Sequence, residues 1–133
     1  MLRLLYLVVV FATSARVVVT GWSMYPTLVS GEYVFFNRLA YVRRSPKRGD
    51  VVLVRGPLEG KKAIIKRVVG LPRDIVQISK GVVTVNDVPL EEASSPGEID
   101  PEEHGLWKLN QDEWFLLGDA MNMSTDSRSY GPV

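Results

Sequence analysis

Short runs of β-branched and aromatic residues, each ended by a glycine, a proline or an Asn-Asp pair, recur through most of this chain. They begin with Val17–Thr20. "EYVFFN" (32–37) and "DVVLVR" (50–55) follow, behind the turn signals Gly31 and Gly49-Asp50. "AIIKRVVG" (63–70) is closed by Gly70 and Pro72, and "DIVQIS" (74–79) turns at Lys80-Gly81 into "VVTVN" (82–86), which turns again at Asn86-Asp87. "EWFLLGD" (113–119) ends the series. Strand-length runs with turns at roughly 8–12-residue intervals predict an all-β fold, an antiparallel barrel or sandwich. No amphipathic helix of ordinary length follows residue 20. With 133 residues the chain has room for one such domain and little else.

Two stretches break the pattern. Leu4–Ala12 is an unbroken apolar run between Arg3 and Arg16. At about 1.5 Å per residue even twelve residues reach only about 18 Å, short of a hydrocarbon core of about 30 Å. The run therefore reads as a short anchor, as a signal-like segment with a small-residue site at Thr13-Ser14-Ala15, or as a buried element. Residues 1–16 form this leading segment, expected as a short apolar helix, and 17–133 the domain. The second stretch, "EEASSPGEIDPEE" (91–103), is acidic and reads, with His104, as a solvated loop. The net charge of +1 offers no basic face for nucleic acid. The absence of cysteine excludes disulfides, thiolate catalysis and cysteine-ligated metals.

Chemistry is suggested by "GWSMYPT" (21–27), where Ser23 sits between bulky neighbours ahead of a proline. A serine hydroxyl needs a base to become a nucleophile. The single histidine, His104, lies in the acidic loop, without the buried acid that a triad requires. Most lysines keep polar company; Lys66, in "AIIKRVVG", does not. Period-two alternation puts Ile64, Lys66 and Val68 on one strand face and Ile65, Arg67 and Val69 on the other. One of these two cations must share a face with the core. A desolvated lysine loses affinity for its proton and can serve as a base. On the strand pattern alone, Lys66 is either that base or an exposed edge cation.

A third polar segment, "GDAMNMSTDSRSYGPV" (118–133), carries Asp119, Ser124, Asp126 and Arg128. Folded back, it could offer Ser124 to the lysine amine. Asp119 and Asp126 would then have to pair with Arg67 and Arg128, because a free carboxylate beside Lys66 would hold its proton on.

Together "GWSMYPTL" (21–28), "RGDVVLV" (48–54), "IIKRVVGLPRD" (64–74) and "GDAMNMSTDSRSYGPV" (118–133) resemble type I signal peptidases, the serine–lysine leader proteases of bacterial and organellar membranes. The resemblance implies Ser23 as nucleophile, Lys66 as general base and Ser124 as the residue that orients the lysine. It implies supporting pairs Asp126–Arg128 and Asp119–Arg67, and an oxyanion site at the Ser23 backbone N–H. It places Met24, Leu28 and Ile65 in the pocket for a small residue before the scissile bond. No metal or cofactor is implied. The implied substrates are preprotein signal peptides, and the implied setting is a membrane: a single-pass anchor in lipid, with the domain on the extracytoplasmic side or at an organellar inner membrane. There are departures from the family pattern. Gly21 stands where some members carry a serine donor, Ala120 replaces an asparagine and Arg73 a glycine. The chain also stops at Val133, where members continue, so the barrel is expected to lack a closing strand unless a partner subunit supplies one. The small-residue site suggests self-cleavage after Ala15. Two other classes fit parts of the pattern: a self-cleaving serine–lysine regulator, and a non-catalytic β-domain that binds extended peptides by strand addition.

Overall fold

The computed structural model describes residues 14–55, 62–90 and 97–133. Nine strands follow in order: β1 (Ser14–Val18), β2 (Tyr33–Asn37), β3 (Val51–Arg55), β4 (Ala63–Gly70), β5 (Ile75–Ser79), β6 (Val82–Val85), β7 (Val88–Pro89), β8 (Gly105–Lys108) and β9 (Phe115–Leu117). A 3-10 turn at Met121–Met123 and a one-turn helix, α1 (Ser127–Tyr130), complete the described elements. All pairings are antiparallel, in sheets ordered β1-β2, β3-β4-β9 and β7-β6-β5-β8. The expected mostly antiparallel β architecture with little helix is what forms.

The four-stranded sheet follows from alternation. Val76 and Ile78 on β5, and Val83 and Val85 on β6, point inward, while Ile75, Gln77 and Val82 point out. Their apolar faces meet Val69, Phe115, Leu117 and Met121 to form the main core. Trp107 of β8 lies over Phe115, with ring centroids 4.6 Å apart. A smaller cluster of Val52, Val68 and Leu116 forms within the three-stranded sheet. Gly70 sits between these layers because a Cβ there would lie only 2.7 Å from Val76 Cγ2 and 2.9 Å from Phe115 Cβ.

Several expectations shift. The first strand starts at Ser14 rather than Val17, so Ser14–Arg16 belong to the sheet and pair with Phe35–Asn37. A backbone ladder does not require apolar side chains, and Arg16 is held over the Tyr33 ring, 4.4 Å from its centroid. The bond after Ala15 therefore lies inside a paired strand. Strand β8 lies just past the stretch read as loop, in residues that the sequence reading assigned to no strand, because "GLWK" is short and begins with glycine. The acidic segment is not wholly solvated: Ile99 enters the main core and Glu103 is ion-paired. His104 is exposed, as expected. The apolar run Leu4–Ala12, its expected helix and acidic residues 91–96 lie outside the described residues. Among the described residues no helix is long and apolar enough to cross a membrane.

Candidate active site

Ser23 is mounted on a compact turn between β1 and β2. Tyr25 N–H donates to the Trp22 carbonyl at 3.0 Å and Leu28 N–H to the Met24 carbonyl at 2.9 Å. Gly21 enters this turn with φ of 82°, in the left-handed region where a side chain is strained. The site therefore offers no side-chain donor at that position. Met24 is buried beneath the turn, while Trp22 and Tyr25 project into solvent.

Lys66 reaches the same place from β4. Its register partner is Val52, and Val68 lies two residues further along the same face. Of the two cations that the period-two pattern left open, the structure selects Lys66 as the one facing apolar neighbours, and it is only 4 % exposed. Burial pushes its pKa below the ordinary lysine value of 10.5. Asp126 and Asp119 oppose that fall and Arg128 reinforces it. Among the described residues no ion pair reaches Lys66, because both nearby acids are engaged elsewhere.

Asp119 is held by Arg67, which donates through Nε at 2.8 Å and Nη2 at 2.7 Å. Arg67 also donates to the Gly49 carbonyl at 2.8 Å. Thr27 Oγ1 donates to the same carboxylate at 2.5 Å, which ties the Ser23 turn to the tail. Asp126 is fully buried; it caps α1 and accepts from Arg128 Nε at 2.8 Å and from Gly118 N–H at 3.1 Å. Ser127 Oγ accepts the Leu116 N–H at 2.9 Å and fastens the tail to β9. Both acid–arginine pairs anticipated from sequence are formed.

The tail runs beneath the serine. Ala120 N–H donates to the Ser23 carbonyl at 3.0 Å. Gly118 allows that approach, since a Cβ there would lie 2.5 Å from both Ser124 Cβ and the Ser23 carbonyl oxygen. Ser124 is therefore brought close to the Ser23 backbone, whereas the expectation placed it against the Lys66 amine. Its hydroxyl is buried without a hydrogen-bond partner, so the anticipated hydrogen bond to the Lys66 amine is not formed. In this conformation the hydroxyl is turned toward the hollow over Gly118.

Ser23 and Lys66 line one cleft of about 200 Å³, walled by Val17–Gly21 on one side and by Lys62–Ile65 on the other. Met24 and Ile65 line it, matching two of the three expected pocket residues. Leu28 instead lines a separate hollow of about 540 Å³ beside β2 and β3. The helix-like Met24–Leu28 hydrogen bond carries it one turn away from the cleft. Arg73, where the resemblance expected glycine, has φ of 70°, so the turn keeps a glycine-like backbone without the glycine. Thr27, Gly118 and Glu103 were not singled out from sequence; only the "PT" after Ser23 and the glycine before Asp119 hinted at the first two.

Comparison with known proteins fits this arrangement. The family model described as signal peptidase, peptidase S26, matches residues 1–133. A probable signal peptidase I-2 from Synechocystis sp. is 36% identical over 132 residues, 92% of this chain and 58% of that protein. A signal peptidase I from Leptolyngbya laminosa is 35% identical over 133 residues, 92% of this chain and 63% of that protein. A crystal structure of a signal peptidase I from Enterococcus faecalis shares the fold, with a TM-score of 0.57 at 24% identity, over 68% of this chain and 90% of that one. The chain belongs to the signal peptidase S26 family. It spans about three fifths of the length of the Synechocystis and Leptolyngbya relatives.

Proposed function

We propose that this chain is a membrane-bound serine endopeptidase that removes N-terminal signal peptides from exported preproteins. The observation that carries the reading is the state of Lys66: buried, lowered in pKa, without a carboxylate partner, and in one cleft with Ser23. A neutral amine there takes the Ser23 proton as the hydroxyl attacks the scissile carbonyl and returns it to the leaving amine; it then takes a proton from the water that hydrolyses the ester on Ser23 and gives that proton back to the serine oxygen as the acid leaves. The carbonyl oxygen of the tetrahedral intermediate is received by the Ser23 N–H. Ser124 supplies the hydrogen bond that aims the amine, a role for which its unpartnered hydroxyl is free. An extended peptide fits between the two walls of the cleft, and Met24 and Ile65 leave room for a small side chain before the cleaved bond.

The membrane setting has its own support. Val18, Trp22, Tyr25, Tyr33 and Phe35 are exposed on β1, β2 and the Ser23 turn, and large aromatics with a polar tip suit a lipid interface. The domain then lies on the extracytoplasmic side, with the residues that precede β1 as anchor.

The test is cleavage of a preprotein-derived peptide with an Ala-x-Ala site. Ser23→Ala and Lys66→Ala are each expected to lower kcat roughly 10³-fold or more while leaving the circular dichroism spectrum unchanged. Cleavage that survives Lys66→Ala would remove the base assignment. Peptide binding without cleavage by the wild-type chain would favour a non-catalytic β-domain.

A further inference from the structure

The Asp126–Arg128 pair has a third member outside the four sequence blocks. Arg128 Nη1 donates to Glu103 Oε2 at 2.8 Å. The other donors of the same guanidinium go to Asp126, to the Met121 carbonyl at 2.7 Å and to the Ser124 carbonyl at 3.1 Å. Arg128 therefore gathers the whole span from Met121 to Asp126, and Glu103 holds it from outside. Glu103 is itself set by a turn, with its N–H on the Asp100 carbonyl at 2.9 Å and the Glu102 N–H on Asp100 Oδ1 at 2.9 Å. Two residues later the chain enters β8, which is hydrogen-bonded to β5 in the four-stranded sheet. A second tie comes from the same segment, where Gly97 N–H donates to the Asp119 carbonyl at 2.8 Å.

We propose that Glu103 is a positioning residue for the peptidase: through Arg128 it anchors the 118–128 tail to the four-stranded sheet and holds Ser124 and Asp126 in place beside Ser23 and Lys66. Glu103 touches no reacting atom and acts only through the arginine. The groups whose charges bear on Lys66 are Asp126 and Arg128 from the tail and Asp119, itself neutralised by Arg67. Glu103 faces Arg128, and its charged or titratable chain neighbours are Asp100, Glu102 and the exposed His104. Side-chain length is decisive, because the carboxylate must span from the 100–103 turn to the guanidinium. Gln keeps both the reach and the acceptor oxygen. Asp keeps the charge and is one methylene too short.

The inference rests on the peptidase reading, so the experiment pairs an activity measurement with one that does not need activity. Full-length wild type, Glu103→Ala, Glu103→Asp and Glu103→Gln are compared by peptide cleavage and by amide hydrogen exchange resolved over 118–128. Glu103→Ala and Glu103→Asp are expected to lower kcat roughly five- to ten-fold with KM unchanged, and to speed exchange in 118–128 alone. Glu103→Gln is expected to stay near wild type in both. In an Arg128→Met background, Glu103→Ala is expected to have no further effect. Unchanged kcat and unchanged exchange in Glu103→Ala would overturn the proposal. So would exchange that rises throughout the chain with activity lost in proportion, since that is general destabilisation. If wild type cleaves nothing while the local exchange effect appears, the anchoring stands and the peptidase reading fails.

Discussion

The two faces of this small protein are held by different physics. The four-stranded sheet is closed by apolar contact: Val76, Ile78, Val83 and Val85 meet Phe115 and Leu117 with no charge among them. The region around the middle of β4 and the tail is closed by charges: Asp119 with Arg67 and Asp126 with Arg128, all largely withdrawn from water around Lys66. Apolar contact is non-directional and tolerates small shifts. A buried charge network requires each partner in place, because an ion left without its counterpart loses water and gains nothing. The first kind of packing supplies a rigid base. The second sets the environment in which a lysine can lie buried and unpaired.

The sharpest contrast comes from removing one group on each side. Phe115→Ala should cost about 3–5 kcal/mol in urea unfolding through the cavity it leaves, while the remaining folded protein keeps its kcat. Asp126→Ala should cost a similar amount, about 3–5 kcal/mol, and should also lower kcat beyond the unfolded fraction. Equal kcat in the two folded variants would break the comparison.

Next in size is Gly118→Ala. The added methyl meets Ser124 Cβ and the Ser23 carbonyl at 2.5 Å, so the tail must move off the serine. Peptide cleavage is expected to fall roughly 10²-fold, out of proportion to any change in melting temperature.

A smaller effect separates the faces by pH. The neutral form of Lys66 is the competent one, so kcat/KM should climb as pH rises through a pKa below the usual lysine value of 10.5. The same shift acts on stability with a definite sign. The unfolded chain binds the Lys66 proton more tightly than the folded one, so stability should increase with pH between the lowered folded-state pKa and 10.5. Lys66→Met should flatten that part of the stability profile, and a profile that stays steep would assign the slope to another group.

The smallest expected effect lies at the surface. Arg44 pairs with Asp50 at 3.1 Å and stacks on Tyr41, but its side chain is 46% exposed. Arg44→Ala should change unfolding free energy by about 0–1 kcal/mol and leave cleavage untouched. A large loss there would show that charge pairing matters beyond the buried network.

Much of this was legible in the residues, unevenly. Strand β4 matched its predicted limits, and the chain turned from β5 to β6 at Lys80-Gly81 and from β6 to β7 at Asn86-Asp87 as marked, with Lys80, Asn86 and Asp87 at positive φ. Those signals are local, set by side-chain period and turn stereochemistry. Strand β8 was missed because its pairing with β5 connects residues about thirty apart in sequence, and "GLWK" has no alternation of its own. Leu28 was placed in the cleft by resemblance, and the backbone of the Ser23 turn directs it elsewhere.

By itself the sequence determined the β character, the absence of thiol chemistry, the singling out of Ser23 and Lys66, and the need for partners to occupy Asp119 and Asp126. These follow from residue type and from strand period, which any single segment carries. Only the tertiary structure decided that Lys66, not Arg67, turns toward apolar neighbours, that Ser124 lies beside Ser23 with its hydroxyl unpaired, and that Glu103 reaches Arg128. Desolvation and ion pairing depend on what other segments place within a few ångströms, and no local pattern specifies that.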